Sequence, residues 1–166
     1  MTNERLLKVI QEAKRARRTM LDLSKKKIKE IPFEFGELTN LMKLNLSGNE
    51  LESLPESFGN LKNLKRLAID YSKFSSFPDS ICRLAKLEEL YLRGNKIEKL
   101  PPEIKNLTRL KGLDVRGNKL TLLPKELAEL KELNLLFIEA NPLEEPPVKI
   151  IHEGTKAVLD FLRNAK

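Results

Sequence analysis

The sequence predicts an α/β fold: a right-handed solenoid in which parallel strands form a concave sheet and short helices or 3₁₀ turns lie on the convex side. Three observations predict it. A 23-residue repeat occurs in six copies, the apolar period changes from two to about three within each copy, and amphipathic segments stand at both ends. One coil has a single apolar side and cannot fold alone, so stacked copies bury a continuous column of leucines.

Each copy begins with a Leu-x-Leu pair. The second copy reads "LNLSGNELESLPESFGNLKNLKR", and the six pairs start at Leu21, Leu44, Leu67, Leu90, Leu113 and Leu136. Alternation in "LNLSG" predicts a short strand with Leu44 and Leu46 facing inward. An Asn at the sixth position, present in four copies (Asn49, Asn95, Asn118 and Asn141), is predicted to end the strand, and its amide can bond the backbone of neighbouring coils. The following "LPxx" predicts a short helix or 3₁₀ turn opened by proline.

The two ends are predicted to cap the open repeat array. We expect one domain over 1–166, with a cap helix at 1–19, six repeats at 20–143 and a C-terminal cap helix at 144–166. In the first helix, Leu6, Ile10 and Ala13 form an apolar stripe. In the last one, Pro147 opens the helix, and Gly154 within it costs about 1 kcal/mol relative to Ala.

These motifs resemble the leucine-rich repeat proteins over essentially the whole chain. The 23-residue form with its "LP" dipeptide is similar to the intracellular class found in Ras-suppressor-type scaffolds and in the repeat region of Roco-family GTPases. The end, "NPLEEPPVKIIHEGTKAVLDFLR", is similar to the segment that closes the Roco repeat array. No GxxxxGK[ST] phosphate loop occurs, so the resemblance implies a recognition module without nucleotide chemistry.

The composition argues against most enzymatic and membrane classes. No apolar run approaches the roughly 20 residues that span a bilayer. One His (His152) and one Cys (Cys82) cannot supply a four-ligand zinc site, and no glycine-rich phosphate loop is present. We therefore expect no enzymatic activity, catalytic residue, metal, cofactor or small-molecule substrate. The single Cys excludes an internal disulfide and suits a reducing compartment, which predicts a cytoplasmic protein.

Basic charge is concentrated at the N-terminal end. Residues 1–30 hold ten of the 31 Lys and Arg residues but only four of the 24 Asp and Glu residues. The runs "KRARR" and "KKK" could bind nucleic acid or an anionic membrane. The alternative, which we favour, is a solvated face of an end cap, because no aromatic residue is interleaved for base stacking.

The outward positions of the strands are the predicted binding surface. Large side chains gather there from the third copy onwards, and Tyr and Arg are enriched at protein-interface hot spots. We predict that a monomer binds a protein partner there through Arg66, Asp70, Tyr91, Arg93, Asp114, Arg116, Phe137 and Glu139. The alternative reading is that Tyr91 and Phe137 merely favour strands and shield each other. A further alternative is that the chain is the recognition part of a larger Roco-type protein.

Overall fold

The structure, a computed structural model, describes residues 1–164 of the 166. Within these residues, six parallel strands of three residues each form one sheet in sequence order, and neighbouring strands pair in a constant register. The strands are β1 (Met20–Asp22), β2 (Lys43–Asn45), β3 (Arg66–Ala68), β4 (Glu89–Tyr91), β5 (Gly112–Asp114) and β6 (Leu135–Phe137). The leading leucine of each repeat is the central residue of its strand. The predicted strand positions and the α/β solenoid are thus confirmed.

The opposite side of each coil carries a 3₁₀ turn, as the "LPxx" pattern predicts. Five such turns occur in the described residues, each preceded by proline: Phe33–Glu37, Glu56–Asn60, Asp79–Arg83, Pro102–Asn106 and Lys125–Glu129. Proline holds its φ near the value that begins such a turn. The central apolar residue of every turn is buried, and the rings of Phe35 and Phe58 stack with centroids 6.0 Å apart.

Asparagine side chains form a ladder between the strands and the convex side. The Nδ2 of Asn95 donates hydrogen bonds to the carbonyls of Ile69 and Leu92, and its Oδ1 accepts from the N–H of Phe74. Asn49, Asn118 and Asn141 make the equivalent bonds in their own coils. Each asparagine therefore ties its own coil to the preceding one.

The N-terminal cap is α1 (Asn3–Arg15), whose N-cap is Thr2. The buried residues of α1 are Leu6, Ile10 and Ala13, which cover the first leucine layer. Residues at i, i+4 and i+7 lie on one face of a helix, so these three side chains pack together against the repeats.

The C-terminal cap differs from the single helix that we expected. It contains two helices, α2 (Val148–His152) and α3 (Thr155–Asn164), separated by Gly154 at φ +96°. Glycine adopts this left-handed conformation without a steric penalty, so the chain turns there instead of continuing one helix. Val158, Leu159 and Leu162 of α3 are buried and close the core. Residues 165–166 of the predicted cap lie outside the described residues.

Candidate functional site

Each coil contributes three solvent-facing side chains to the concave face of the sheet. In the fourth coil these are Glu89, Tyr91 and Arg93, whereas Leu90 and Leu92 between them are fully buried. The two-residue alternation of an extended chain produces this division. Because all strands share one register, equivalent side chains form ladders across the sheet. The sequence-predicted residues occupy these ladders on β3 to β6 and just beyond the strand ends.

The first group of linked side chains contains Arg66, Glu89 and Tyr91. The guanidinium of Arg66 lies 2.8 Å from Oε2 of Glu89, and the hydroxyl of Tyr91 donates to the same oxygen at 2.7 Å. The guanidinium carbon of Arg66 also lies 4.8 Å from the centroid of the Tyr91 ring. Burial, then the hydrogen bond to Glu89, raises the pKa of Tyr91, so its hydroxyl remains a donor. Glu89 thus orients both predicted partner-binding residues.

The second group contains Asp114, Arg116 and Phe137. The carboxylate of Asp114 accepts two hydrogen bonds from Nε of Arg116, at 3.0 and 3.1 Å, and one from its Nη2 at 2.5 Å. The guanidinium carbon of Arg116 lies 4.9 Å from the centroid of the Phe137 ring. The hydrogen bonds to Asp114 raise the pKa of Arg116. Since Asp114 is only 5% exposed, it orients Arg116 rather than offering its own carboxylate as an anchor.

Asp70 and Glu139 have different environments. The half-buried Asp70 accepts the backbone N–H of Arg93 through Oδ1 at 2.7 Å, and burial raises the pKa of its carboxyl group. This geometry gives Asp70 a supporting role at the end of β3. Glu139 follows β6 and is exposed at the edge of the surface.

Tyr71 is a feature of this surface that the sequence did not identify as a site residue. It is 56% exposed, and the guanidinium carbon of Arg93 lies 5.7 Å from the centroid of its ring. The signal was present in the sequence, because Tyr71 stands where the second, fourth and fifth copies have glycine.

The first three strands line a depression on the same face. Met20, Lys43, Asn45 and Arg66 contribute to a depression of about 550 Å³, and Met20 is 60% exposed. Nδ2 of Asn45 donates to Asp22 across the strands at 3.3 Å. Hydrogen bonds from Ser24 are the main reason that the pKa of Asp22 is lowered. β1 and β2 carry no aromatic side chain, whereas the Arg–aromatic pairs lie on β3 to β6 and the turn after β3.

The basic N-terminal residues are divided between two sides of α1. Arg5, Arg18 and the lysines at 25–27 line a depression of about 510 Å³, which also contains Glu12 and Asp22. Lys14 and Arg15 line a separate depression, where Nζ of Lys14 forms an ion pair with Glu37. The run "KRARR" therefore does not form one continuous patch.

Cys82 and His152 are placed in different parts of the fold, on a 3₁₀ turn and on α2 respectively. Cys82 is buried, and burial followed by the charge of Asp79 raises the pKa of its thiol to about 12. Such a thiol is protonated at neutral pH and is a poor nucleophile. Across residues 1–164, no three His, Cys, Asp or Glu side chains are arranged to hold a metal ion. No helix in that range is long and apolar enough to cross a membrane.

Comparison with known families agrees with the repeat geometry. The family described as leucine-rich repeat region matches residues 17–93, and the family described as leucine rich repeat matches residues 85–143. The two matches together extend from the end of α1 through the sixth repeat. The chain is a leucine-rich repeat protein. These matches do not separate Ras-suppressor-type scaffolds from Roco repeat regions, so that finer resemblance stays a prediction.

A solved structure of a leucine-rich repeat protein from Leptospira interrogans has a similar fold. It is 40% identical to this leucine-rich repeat protein, with a TM-score of 0.72 and coverage of 75% of the present chain. The alignment covers 32% of the Leptospira protein, so the present chain spans about a third of its length. Among curated proteins, no sequence matches the chain.

Proposed function

We propose that this leucine-rich repeat protein is a non-enzymatic recognition module that binds a protein partner on the concave face of β3 to β6. One observation carries the proposal: three arginines on this face each lie over an aromatic ring, with the guanidinium carbon 4.8, 5.7 or 4.9 Å from the ring centroid. The pairs are Arg66 with Tyr91, Arg93 with Tyr71, and Arg116 with Phe137. Tyr and Arg combine apolar area with directional hydrogen bonding, and both are enriched at interface hot spots.

In the proposed mechanism, the side chains that contact the partner are already held in place in the free protein. Side chains that are already ordered in the free protein lose less conformational entropy on binding. Glu89 holds Arg66 and Tyr91, and Asp114 holds Arg116, before any partner arrives. The backbone below them is fixed by the sheet and the asparagine ladder. Binding would then cost little reorganisation of the recognition surface.

The experiment compares wild-type protein with two matched double variants. Tyr91→Ala/Phe137→Ala removes two concave aromatic side chains, whereas Glu56→Ala/Lys125→Ala removes two exposed charges from the convex 3₁₀ turns. Proteins captured from the source cells are identified, and their affinities are then measured by isothermal titration calorimetry. The concave variant is expected to bind at least about tenfold more weakly, and the convex variant to bind normally. Unchanged affinity of a folded concave variant would refute the proposed surface.

A second candidate function rests on the depression lined by Arg5, Arg18 and the lysines at 25–27. Five basic side chains around one depression could attract an anionic surface of nucleic acid or membrane. Fluorescence anisotropy with single-stranded DNA and sedimentation with acidic vesicles, both at low salt, test this candidate. Salt-sensitive binding that Arg18→Ala weakens would support it, and indifference to both probes would eliminate it.

We also propose that the protein is cytoplasmic and monomeric. The buried, protonated thiol of Cys82 is compatible with a reducing compartment. Cell fractionation and analytical ultracentrifugation measure the two properties. Recovery of the protein outside the cytoplasm, or sedimentation as a dimer at micromolar concentration, would contradict them.

A further inference from the structure

The third residue after the end of each strand has a left-handed backbone in every coil. Three copies have glycine there, which adopts this conformation freely. The other three have Lys25, Tyr71 and Ala140, with φ between 52° and 56°. A bulky side chain in this region is strained, and such strain concentrates at functional sites. Tyr71 is the aromatic member of this set.

The strain at Tyr71 is not offset by burial of its ring in the core. The ring is 56% exposed and lies beside the glycine of the next coil, because a Cβ added at Gly94 would be 2.5 Å from Cδ1 of Tyr71. Its neighbour Ser72 replaces the ladder asparagine, and the buried Oγ of Ser72 has no hydrogen-bond partner in the structure. The third coil therefore lacks both the glycine and the asparagine that suit these two positions. It exposes an aromatic ring instead.

Arg93 differs from the other two stacked arginines in its charge environment. Arg66 is paired with Glu89, and Arg116 with Asp114. Within the described part of the chain, no carboxylate lies within 4.0 Å of the Arg93 guanidinium, which is exposed beside Tyr71. The nearby Asp70 carboxylate accepts the backbone N–H of Arg93 instead of its side chain. The five donors of this guanidinium remain available to a ligand.

We propose that Tyr71 and Arg93 form a clamp that binds the side-chain carboxylate of an Asp or Glu in an extended segment of the partner protein. This inference rests on the proposed function and extends its site from the strands onto the following turn. A guanidinium matches a carboxylate with two parallel hydrogen bonds. The guanidinium carbon of Arg93 lies over the Tyr71 ring, 5.7 Å from its centroid, and the guanidinium forms no ion pair within the described residues. The same ring adds apolar contact area for the residue next to the acidic one.

A carboxylate fits the clamp better than a phosphate group. Only one unpaired arginine is present at this position, whereas recognition of phosphorylated segments normally uses clusters of arginines. Asp70 interacts electrostatically with Arg93, and Glu139 interacts with Arg116, so negative charge already lies close by. The one unpaired guanidinium neutralises a single carboxylate, whereas a phosphate dianion would keep a net negative charge beside these carboxylates.

The test selects phage-displayed random peptides on the full-length immobilised protein. Enriched peptides are expected to contain Asp or Glu next to an apolar residue. Synthetic versions with amidated C-termini are then measured by fluorescence anisotropy, and replacing the acidic residue by its amide should weaken binding about tenfold. Arg93→Gln should cause a similar loss. Arg93→Lys, which retains the charge but not the two-pronged donor geometry, should cause a smaller one.

Two matched glycine variants separate recognition from folding. Tyr71→Gly and Ala140→Gly both relieve a left-handed backbone, but only the first removes an aromatic ring. Tyr71→Gly is expected to weaken peptide binding about tenfold while its urea midpoint stays at or above that of wild type. Ala140→Gly should bind normally. A large fall in the urea midpoint of Tyr71→Gly with unchanged affinity would assign the ring to folding and overturn the clamp.

The outcomes also distinguish the clamp from the proposed function. If the selected peptides depend on Tyr91 and Phe137 but tolerate Arg93→Gln and Tyr71→Gly, the concave site stands and the clamp is refuted. Absence of any acidic enrichment also refutes the clamp. If affinity falls for the clamp variants and not for Tyr91→Ala/Phe137→Ala, the turn is the primary site and the proposed surface on β3 to β6 is wrong.

Discussion

Replacement of Asn95 by alanine tests the asparagine ladder at its centre. Asn95 is 6% exposed and makes three hydrogen bonds: to the carbonyl of Ile69 at 2.9 Å, to the carbonyl of Leu92 at 3.0 Å, and from the N–H of Phe74 at 3.2 Å. The Leu92 carbonyl also accepts from Asn118 at 3.0 Å and would keep that partner. The substitution therefore leaves the Ile69 carbonyl and the Phe74 N–H without their side-chain partner.

The expected loss of stability follows from these two backbone groups. A buried donor or acceptor without a partner costs about 1–3 kcal/mol, so two of them should lower the free energy of unfolding by about 2–6 kcal/mol. The void left by the amide adds to this cost. Urea denaturation followed by circular dichroism measures the change.

Asn106→Ala is the matched control for Asn95→Ala. Asn106 is the same residue type in the same repeat, at the end of the fourth 3₁₀ turn, and its side chain is exposed. Its replacement should change the free energy of unfolding by less than about 0.5 kcal/mol. If Asn95→Ala cost under about 1 kcal/mol, or no more than the control, the ladder would not be a main source of cohesion between coils.

Three further predictions concern the third and fourth coils. Ser72→Asn should restore the missing ladder position and raise the free energy of unfolding by about 1 kcal/mol, and an unchanged urea midpoint would argue against it. Gly94→Ala should cost about 2–3 kcal/mol, because a Cβ would contact Tyr71 at 2.5 Å and φ is +67°. In a double-mutant cycle Tyr71→Gly should recover part of that cost; additive effects would contradict the contact. The pKa of the Cys82 thiol is raised from 9.0 to about 12, so thiol reagents at pH 8 should modify only the unfolded protein; rapid modification of folded protein would show an accessible thiolate.

The repeat made most of the fold predictable from the amino-acid sequence. The positions of the strands at the Leu-x-Leu pairs, the proline-led 3₁₀ turns and the ladder at Asn95 all follow from local patterns that recur every 23 residues. Each coil contacts chiefly its neighbours, so one correct interpretation of a single copy fixes the register of all six. The C-terminal cap is not part of the repeat, so no recurring pattern predicts its structure. Its two helices are separated because Gly154 adopts a left-handed backbone conformation.

The sequence predicted which face of the sheet carries the candidate site, but not which of its charged side chains are paired. Alternation along the strands placed Tyr91, Arg93 and Phe137 on the outer face, and the structure positions them there. Tertiary structure decided which charges are already paired: Asp114 is buried against Arg116, whereas Arg93 keeps an unpaired guanidinium beside Tyr71. Pairing depends on distances and burial between side chains from different coils, which sequence periodicity does not specify. The sequence alone therefore determined the repeating scaffold, and the three-dimensional packing decided which residues on it remain free to bind.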